Sequence, residues 1–455
     1  MDQQDLQLLT ERIDREIEAS REQLEADTIR MIAIRSVKGA PLPGAPFGPG
    51  PRAMLDEALR MGAEAGFHTR DYGVGVVSMS LKEGQPDLGI WLHGDVVPEG
   101  TGWEHPPYRA TRYQGCIIGR GATDNKGQLS AIYNLLKIFK KMDIPLRYNL
   151  ALYVGSDEEN GKHDLTGVAG NPDAGGFCKV CTPPRLSLVP DASFPVGYGG
   201  KGALNIALQS REPLRGLVIT AGLDDDPGKA EAVIGGRILE TRSPLRHGAH
   251  PDPNGNMITR LMERLLAEPD VSDADRPVLD FFRRTSLDVH GDGFGINVPS
   301  EHMTPTTVFC KQIVTEDGRP TMRVNIRYPI ELTAEEALSR IEKAAAACGV
   351  GIVSAERPME PYLLDPANPL ITALADIANS ITGDNKPPYT LGGGTYAHDL
   401  PNALVFGMDG CKVPDGYPAG RGGAHGLDEL VCVDRLIRAM RIYARALLFL
   451  NEADW

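Results

Sequence analysis

Apolar positions along this chain recur in two rhythms. Over residues 5–35 they return every three or four positions, the spacing of one helical face, and after the breaker-rich "GAPLPGAPFGPGP" a second helical stretch runs from about Arg52 to Gly66. Short apolar runs at 73–82, 88–97, 148–155 and 185–190 read as strands, and "NKGQLSAIYNLLKIFKKM" between two of them returns to helical spacing. Strands alternating with helices predict an α/β layer on a largely parallel sheet, an arrangement that gathers ligands beyond the strand ends. From about Gly199 the texture changes. Strand "GALNIALQS", helix "NMITRLMERLLAE", strand "TMRVNIRYP", helix "TAEEALSRIEKAAAA" and strand "GIVSAERP" predict an α+β unit on a mainly antiparallel sheet. After "PYLLDPANP" come the helix "LITALADIANSIT", a glycine-rich strand region and a last helix over 427–450. The expected organisation is one α/β domain made of residues 1–198 and 364–455, with an α+β insertion over 199–363.

Length agrees with two units, since 455 residues exceed one ordinary core. With 42% hydrophobic and 24% charged residues the composition is that of a globular protein, neither disordered nor membrane-embedded. A net charge of −14 without a Lys/Arg cluster argues against nucleic acid as a partner. The opening "MDQQDLQLLTERID" has neither the basic nor the apolar segment of a signal peptide, and no apolar run reaches membrane-spanning length, so a cytoplasmic location and no membrane partner are expected. Seven scattered cysteines fit reduced thiols better than a disulfide framework. Cys178 and Cys181 form a CxxC without a second pair, and read as ordinary loop residues.

Composition leaves the chemistry open; the ends of the apolar runs narrow it. In "IWLHGDVVP" a buried strand ends by offering His93 and Asp95, two residues apart and so on one face of an extended chain. The same switch occurs at Glu158 and Glu159 in "GSDEENG" and at Asp191 in "VPDAS". Asp124 in "GRGATDNKG" and His425 in "GGAHGLDE" add an acid and a histidine in glycine-rich turns. Singly, each has a plain reading: Asp124 as a helix cap, the paired glutamates as a solvated loop, His425 as a loop histidine. Together they bring several carboxylates to one end of a sheet, where they repel unless cations stand among them. Two divalent ions would neutralise the cluster, and two histidines with several carboxylates suit zinc, with manganese or cobalt as substitutes.

The ordered set "HGDVVP", "GRGATDNKG", "GSDEENG", "VPDAS" and "GAHGLDE" resembles the aminoacylase, carboxypeptidase and dipeptidase family of di-zinc peptidases, and most of all its bacterial dipeptidase V branch, which has counterparts of "PFGPGP", "GTGW", "FPVGYGGKG", "NIRYP", "GGGTYA" and "IYARAL". The resemblance implies a di-zinc peptidase-like catalytic domain with an inserted α+β lid domain. By motif, Asp124 would bridge two zinc ions, His93 and Asp191 completing one site and Glu159 and His425 the other. Asp95 would orient the His93 ring through its other nitrogen, and Glu158 would be the general base.

The implied reaction is hydrolysis of an amide bond by water activated at the metals, with Glu158 passing the proton to the leaving amine. In "RHGAHPDPNGN" the lid histidine that reaches the oxyanion corresponds to His247, because Pro251 and Asn256 then fall at the family's offsets; His250 reads as an exposed loop residue. Arg327 in "NIRYP" and the backbone of "GGGTYA", including Gly393, Gly394 and Thr395, would bind the substrate carboxylate, with Asn256 a further substrate contact. His398 reads as structural. Lys201 in "GYGGKG" is no phosphate-loop lysine, since Gly202 stands where Ser or Thr is required. The expected substrate is an unblocked dipeptide. An N-acyl-amino-acid deacylase remains the alternative, and a non-catalytic metal- or peptide-binding module would have little reason to keep Glu158. A monomer and a homodimer are both compatible with a long lid.

Overall fold

Strands Leu150–Gly155, Leu88–His93, Leu186–Val189 and Ala403–Val405 lie side by side in that order and run parallel. Each is buried along its whole length, which is why its sequence is a continuous apolar run rather than an alternation. On one face Leu88, Ile90, Leu92, Leu152, Val154 and Leu188 enter a core shared with the helices. The alternate residues carry an aromatic layer: Trp91 and Tyr153 stack with centroids 4.1 Å apart, and Phe177 packs edge-on against both. Such ring pairs contribute about 0.5–1.5 kcal/mol each beyond the area they bury. Val77–Ser80 and His68–Asp71 continue the sheet antiparallel beyond Leu150–Gly155.

The computed structural model describes residues 3–168, 175–223, 226–243, 255–356, 358–408 and 413–455. The chain forms two compact units, one of Met1–Tyr198, Leu364–Tyr389 and Thr395–Trp455, the other of Gly199–Leu363 and Thr390–Gly394. The first is the α/β unit. Its helices include Gln3–Ala19, Arg21–Ile32, Pro49–Glu64, Lys126–Lys141, Pro369–Thr382 and Val433–Glu452. A small sheet of Leu430–Cys432, Cys116–Ile118 and Thr111–Tyr113 completes it.

The second unit is an α+β insertion around a seven-stranded sheet in the order Arg237–Arg242, Asp226–Ile234, Leu217–Leu223, Thr307–Glu316, Arg319–Tyr328, Gly202–Ser210, Val350–Ala355. Every neighbouring pair is antiparallel. Helices Met257–Ala267, Arg276–Leu287 and Ala334–Ala346 close a core of its own, with Leu204, Ile219, Leu261, Phe282, Ile313 and Ile326 at its centre. The insertion starts and finishes side by side: Gly199 pairs with Leu363 and Gly200 with Tyr362.

Several local expectations shift. The helix predicted over 5–35 is two helices, broken at Ser20, whose hydroxyl donates to Ile17 O and whose backbone turns at φ −84°, ψ 0°. The last helix begins at Val433 because Leu430–Cys432 pairs as a strand first. Reduced thiols were expected throughout, but Cys116 and Cys432 stand directly opposite across two antiparallel strands and form a disulfide, a pairing over 316 residues with no local signature. Among the described residues no helix is long and apolar enough to cross a membrane.

Candidate metal centre

Parallel strands bring their C-terminal ends to one edge of a sheet, and here those ends carry the polar residues. His93 is the last residue of its strand and is in register with Gly155, the last of the next. Beyond Gly155 the chain passes Ser156 and Asp157 into a short 3₁₀ turn, Glu158–Asn160. Asp191 follows Leu186–Val189 by two residues, and Asp124 lies just before the helix Lys126–Lys141.

Two groups of ligand-type atoms result, each within 4.8 Å: His93, Asp124 and Asp191, and Asp124, Glu159 and His425. Asp124 belongs to both. Its Oδ1 is 3.0 Å from His93 Nε2, and its Oδ2 is 2.9 Å from His425 Nε2. His93 Nε2 is also 3.8 Å from Asp191 Oδ1, and His425 Nε2 is 3.1 Å from Glu159 Oε1. The two histidines differ in setting, the His93 side chain being 1% exposed and that of His425 47%.

The groups of this cluster shift one another's protonation. Burial opposes charge on His93, but the neighbouring carboxylates of Asp124, Asp191 and Asp95 push its pKa well above the usual imidazole value. Hydrogen bonds to Asp124 and Glu159 raise His425 to about 10 against the opposition of burial. Burial raises Glu159 to about 7 and Glu158 well above the ordinary carboxylate range, the latter with help from the charge of Asp191. Asp124 goes the other way: burial alone would raise it, and the two histidines hold it low. Divalent cations would replace these protons.

Around the groups the backbone is tied down. Asp95 is fully buried and its two carboxylate oxygens accept the N–H groups of Glu158 and Glu159, each at 3.2 Å. His93 Nδ1 meets the backbone carbonyl of Asp95 at 3.0 Å, whereas the Asp95 carboxylate is 3.6 Å away. Asp95 thus faces Nδ1 with its carbonyl and, farther off, with its carboxylate, which also holds the glutamate turn. Asn125, which sequence reading passed over, donates from Nδ2 to Asp191 Oδ1 at 2.7 Å. Asp164 accepts from Ser156 N at 2.7 Å and from the Tyr396 hydroxyl, and Lys162 Nζ donates to Thr395 O at 3.1 Å, so the glutamate loop and the "TYAHD" turn hold each other. An aspartate and a tyrosine 232 positions apart give no sequence signal of this.

The remaining predicted residues have local settings of their own. Arg327 lies in the Arg319–Tyr328 strand of the insertion, its Nε donating to the neutral Asn325 Oδ1 at 3.1 Å, and burial lowers its pKa. Asn256 caps the helix Met257–Ala267: its Oδ1 accepts from Ile258 N at 2.8 Å and its Nδ2 donates to Cys310 O at 3.1 Å. Thr395 caps the Tyr396–His398 turn, where its N–H donates to His398 Nδ1 at 3.3 Å. A Cβ placed on Gly393 would meet nothing within 4 Å. His247 and His250 lie outside the described residues.

With this geometry in hand, the likeness to known proteins is informative. The sequence profile of Peptidase family M20/M25/M40 matches residues 90–448. The putative dipeptidase YtjP of Bacillus subtilis is 30% identical, the match covering 95% of this chain and 98% of the relative. A putative dipeptidase of Staphylococcus epidermidis is 26% identical over 90% and 92% of the two chains. Among solved structures, the di-peptidase Dug1p from Saccharomyces cerevisiae superposes with a TM-score of 0.62 at 15% identity, covering 98% of this chain and 99% of that one. Human carnosine dipeptidase 1 gives 0.59 at 15% identity, over 98% and 100%. At such identities these two matches speak for the fold.

Proposed function

This chain belongs to peptidase family M20/M25/M40, and from that premise we propose that it is a dipeptidase working with two divalent ions, zinc by preference and manganese or cobalt in its place. Membership makes it a peptidase and implies a divalent metal; the number of ions and the dipeptide substrate are our reading. The observation that carries it is the double engagement of Asp124, one oxygen 3.0 Å from His93 and the other 2.9 Å from His425. The donors fit the ions: two imidazoles and three carboxylates that otherwise need protons to coexist. We assign His93, Asp124 and Asp191 to one ion and Asp124, Glu159 and His425 to the other. Bound there, the ions supply Lewis acidity that polarises the scissile carbonyl and brings the pKa of water to about 7.

The chain's own groups do the rest. Glu158 takes the proton of the attacking water on its carboxylate and delivers it to the leaving nitrogen. Asp95 fixes the turn that presents Glu158, and Asn125 fixes Asp191. Arg327, a half-buried guanidinium for which no described carboxylate provides a partner, is assigned the substrate's terminal carboxylate together with the N–H groups of Gly393 and Gly394, the Thr395 N–H being free to join them only by leaving His398 Nδ1. His247 is assigned the oxyanion on its motif. The Asn256 amide is engaged as a helix cap, and we give it no substrate contact.

Chelation is expected to abolish hydrolysis and zinc, manganese or cobalt to restore it. The panel that tests specificity compares kcat/KM for Ala-Ala, N-acetyl-Ala, an N-succinyl amino acid and Ala-Ala-Ala, with the dipeptide expected fastest. Faster cleavage of an acylated amino acid would make the enzyme a deacylase with the same metal groups; full activity in metal-free protein would end the two-ion reading.

A further inference from the structure

Glu429 is four residues beyond His425 and is completely buried. A buried carboxylate needs donors, and this one has four. Its Oε1 accepts the N–H of Thr123 at 2.8 Å and that of Asp124 itself at 2.9 Å. Its Oε2 accepts Gly121 N at 3.2 Å and Arg120 Nη1 at 2.6 Å. Its backbone carbonyl takes Gly119 N at 2.8 Å, so one residue receives most of the turn that precedes Asp124. Arg120, 2% exposed, then extends from this carboxylate to the carbonyl of His425, which Nη2 reaches at 3.3 Å. His425 needs such a hold, since it adopts a left-handed φ of 61° that a non-glycine residue rarely keeps without support.

We propose that Glu429 and Arg120 form a buried clamp that positions Asp124 and His425 against each other, making both of them positioning residues for the metal centre. The proposal rests on the metal reading above. Asp124 must direct one oxygen to each of two histidines, so a small rotation about its backbone takes one oxygen away from its partner. The Glu429 carboxylate fixes that backbone at the N–H of Asp124, and Arg120 carries the same constraint to the main chain of His425. Neither residue touches a ligand side chain, and both act through hydrogen bonds to the main chain. Glutamine cannot substitute: both carboxylate oxygens face donors, and the amide nitrogen of Gln would meet N–H groups in either orientation.

The test is metal affinity of the full chain, measured by titrating Zn²⁺ into metal-free protein against a competing chelator, with kcat and KM recorded on the reloaded enzyme. Glu429→Gln is expected to bind Zn²⁺ about 10–100-fold more weakly, with kcat reduced and KM near the wild-type value. Glu429→Asp keeps the charge on a shorter stem and should fall between the two; it decides the matter if Glu429→Gln does not fold. Asp27→Asn is the control for general loosening, because Asp27 is also buried and accepts from Gln23 and Asn134, each at 3.0 Å, in the helix layer. It should lower the melting temperature and leave Zn²⁺ affinity unchanged. Folded Glu429 variants that bind Zn²⁺ like wild type, or an Asp27→Asn effect of equal size, would overturn the clamp alone. A wild-type protein that takes up no Zn²⁺ would overturn the metal reading and the clamp with it.

Discussion

Two adjacent glutamates show how much a single main-chain contact decides. Each of the Glu158 and Glu159 N–H groups binds a different oxygen of Asp95, and only Glu159 joins a ligand group. Glu158 belongs to neither group, and the proposed reaction gives it the role of base. Glu158→Gln should retain its full metal content and lose about 10²–10⁴-fold in kcat, the range for a general acid–base group. Metal analysis with steady-state kinetics checks this, and an unchanged kcat would remove Glu158 from the reaction. The polar residues of the site are legible in the sequence because each interrupts an apolar run or a glycine turn. Their supports are not: the Asp124 N–H meets Glu429 across 305 positions, and a hydrogen bond of that separation has no local pattern.

Whole elements were legible where burial left a pattern. The fully buried strands read as apolar runs, while His68–Asp71, exposed at all four residues, has no hydrophobic signature at all. Glycine at a strand end is easy to see and hard to interpret without the neighbours. Gly155 closes the strand beside His93, and a Cβ there would collide with the Tyr396 hydroxyl and with Asp164, the pair that joins the glutamate loop to the "TYAHD" turn. Gly155→Ala therefore forces both to move. We expect a loss of about 1–3 kcal/mol in urea unfolding, typical of an overpacked site, together with a fall in kcat because Glu158 and Glu159 follow three and four residues on. An alanine variant as stable and as active as wild type would show the strand end to be more yielding than this packing implies.

The proton content of the metal groups makes itself felt in the stability of the entire protein. His425 rises from 6.5 to about 10 in the folded metal-free chain, so its contribution is complete below 6.5 and is lost as pH rises through 10. Glu159, raised from 4.5 to about 7, contributes with the same sign, complete below 4.5 and lost as pH rises through 7. On the proposed ligand set, bound metal would replace both protons. The melting temperature with saturating Zn²⁺ minus that with chelator should consequently widen as pH goes from about 5 to about 9, measured by scanning calorimetry; a gap that narrows would contradict the proton inventory. The two-unit organisation was foreshadowed by the change of texture near Gly199, yet the way the insertion joins its host was not. Gly199 and Leu363 are paired neighbours, so the excursion leaves and returns within the width of one strand ladder, about 5 Å. Loop-closure entropy is thus settled at the root of the insertion. For the host, lengthening or trimming the far side of that unit changes nothing at the junction, and over evolutionary time its size is free to drift while the strand ends that lead to His93 and Asp191, and the turn that carries Asp124, keep their places.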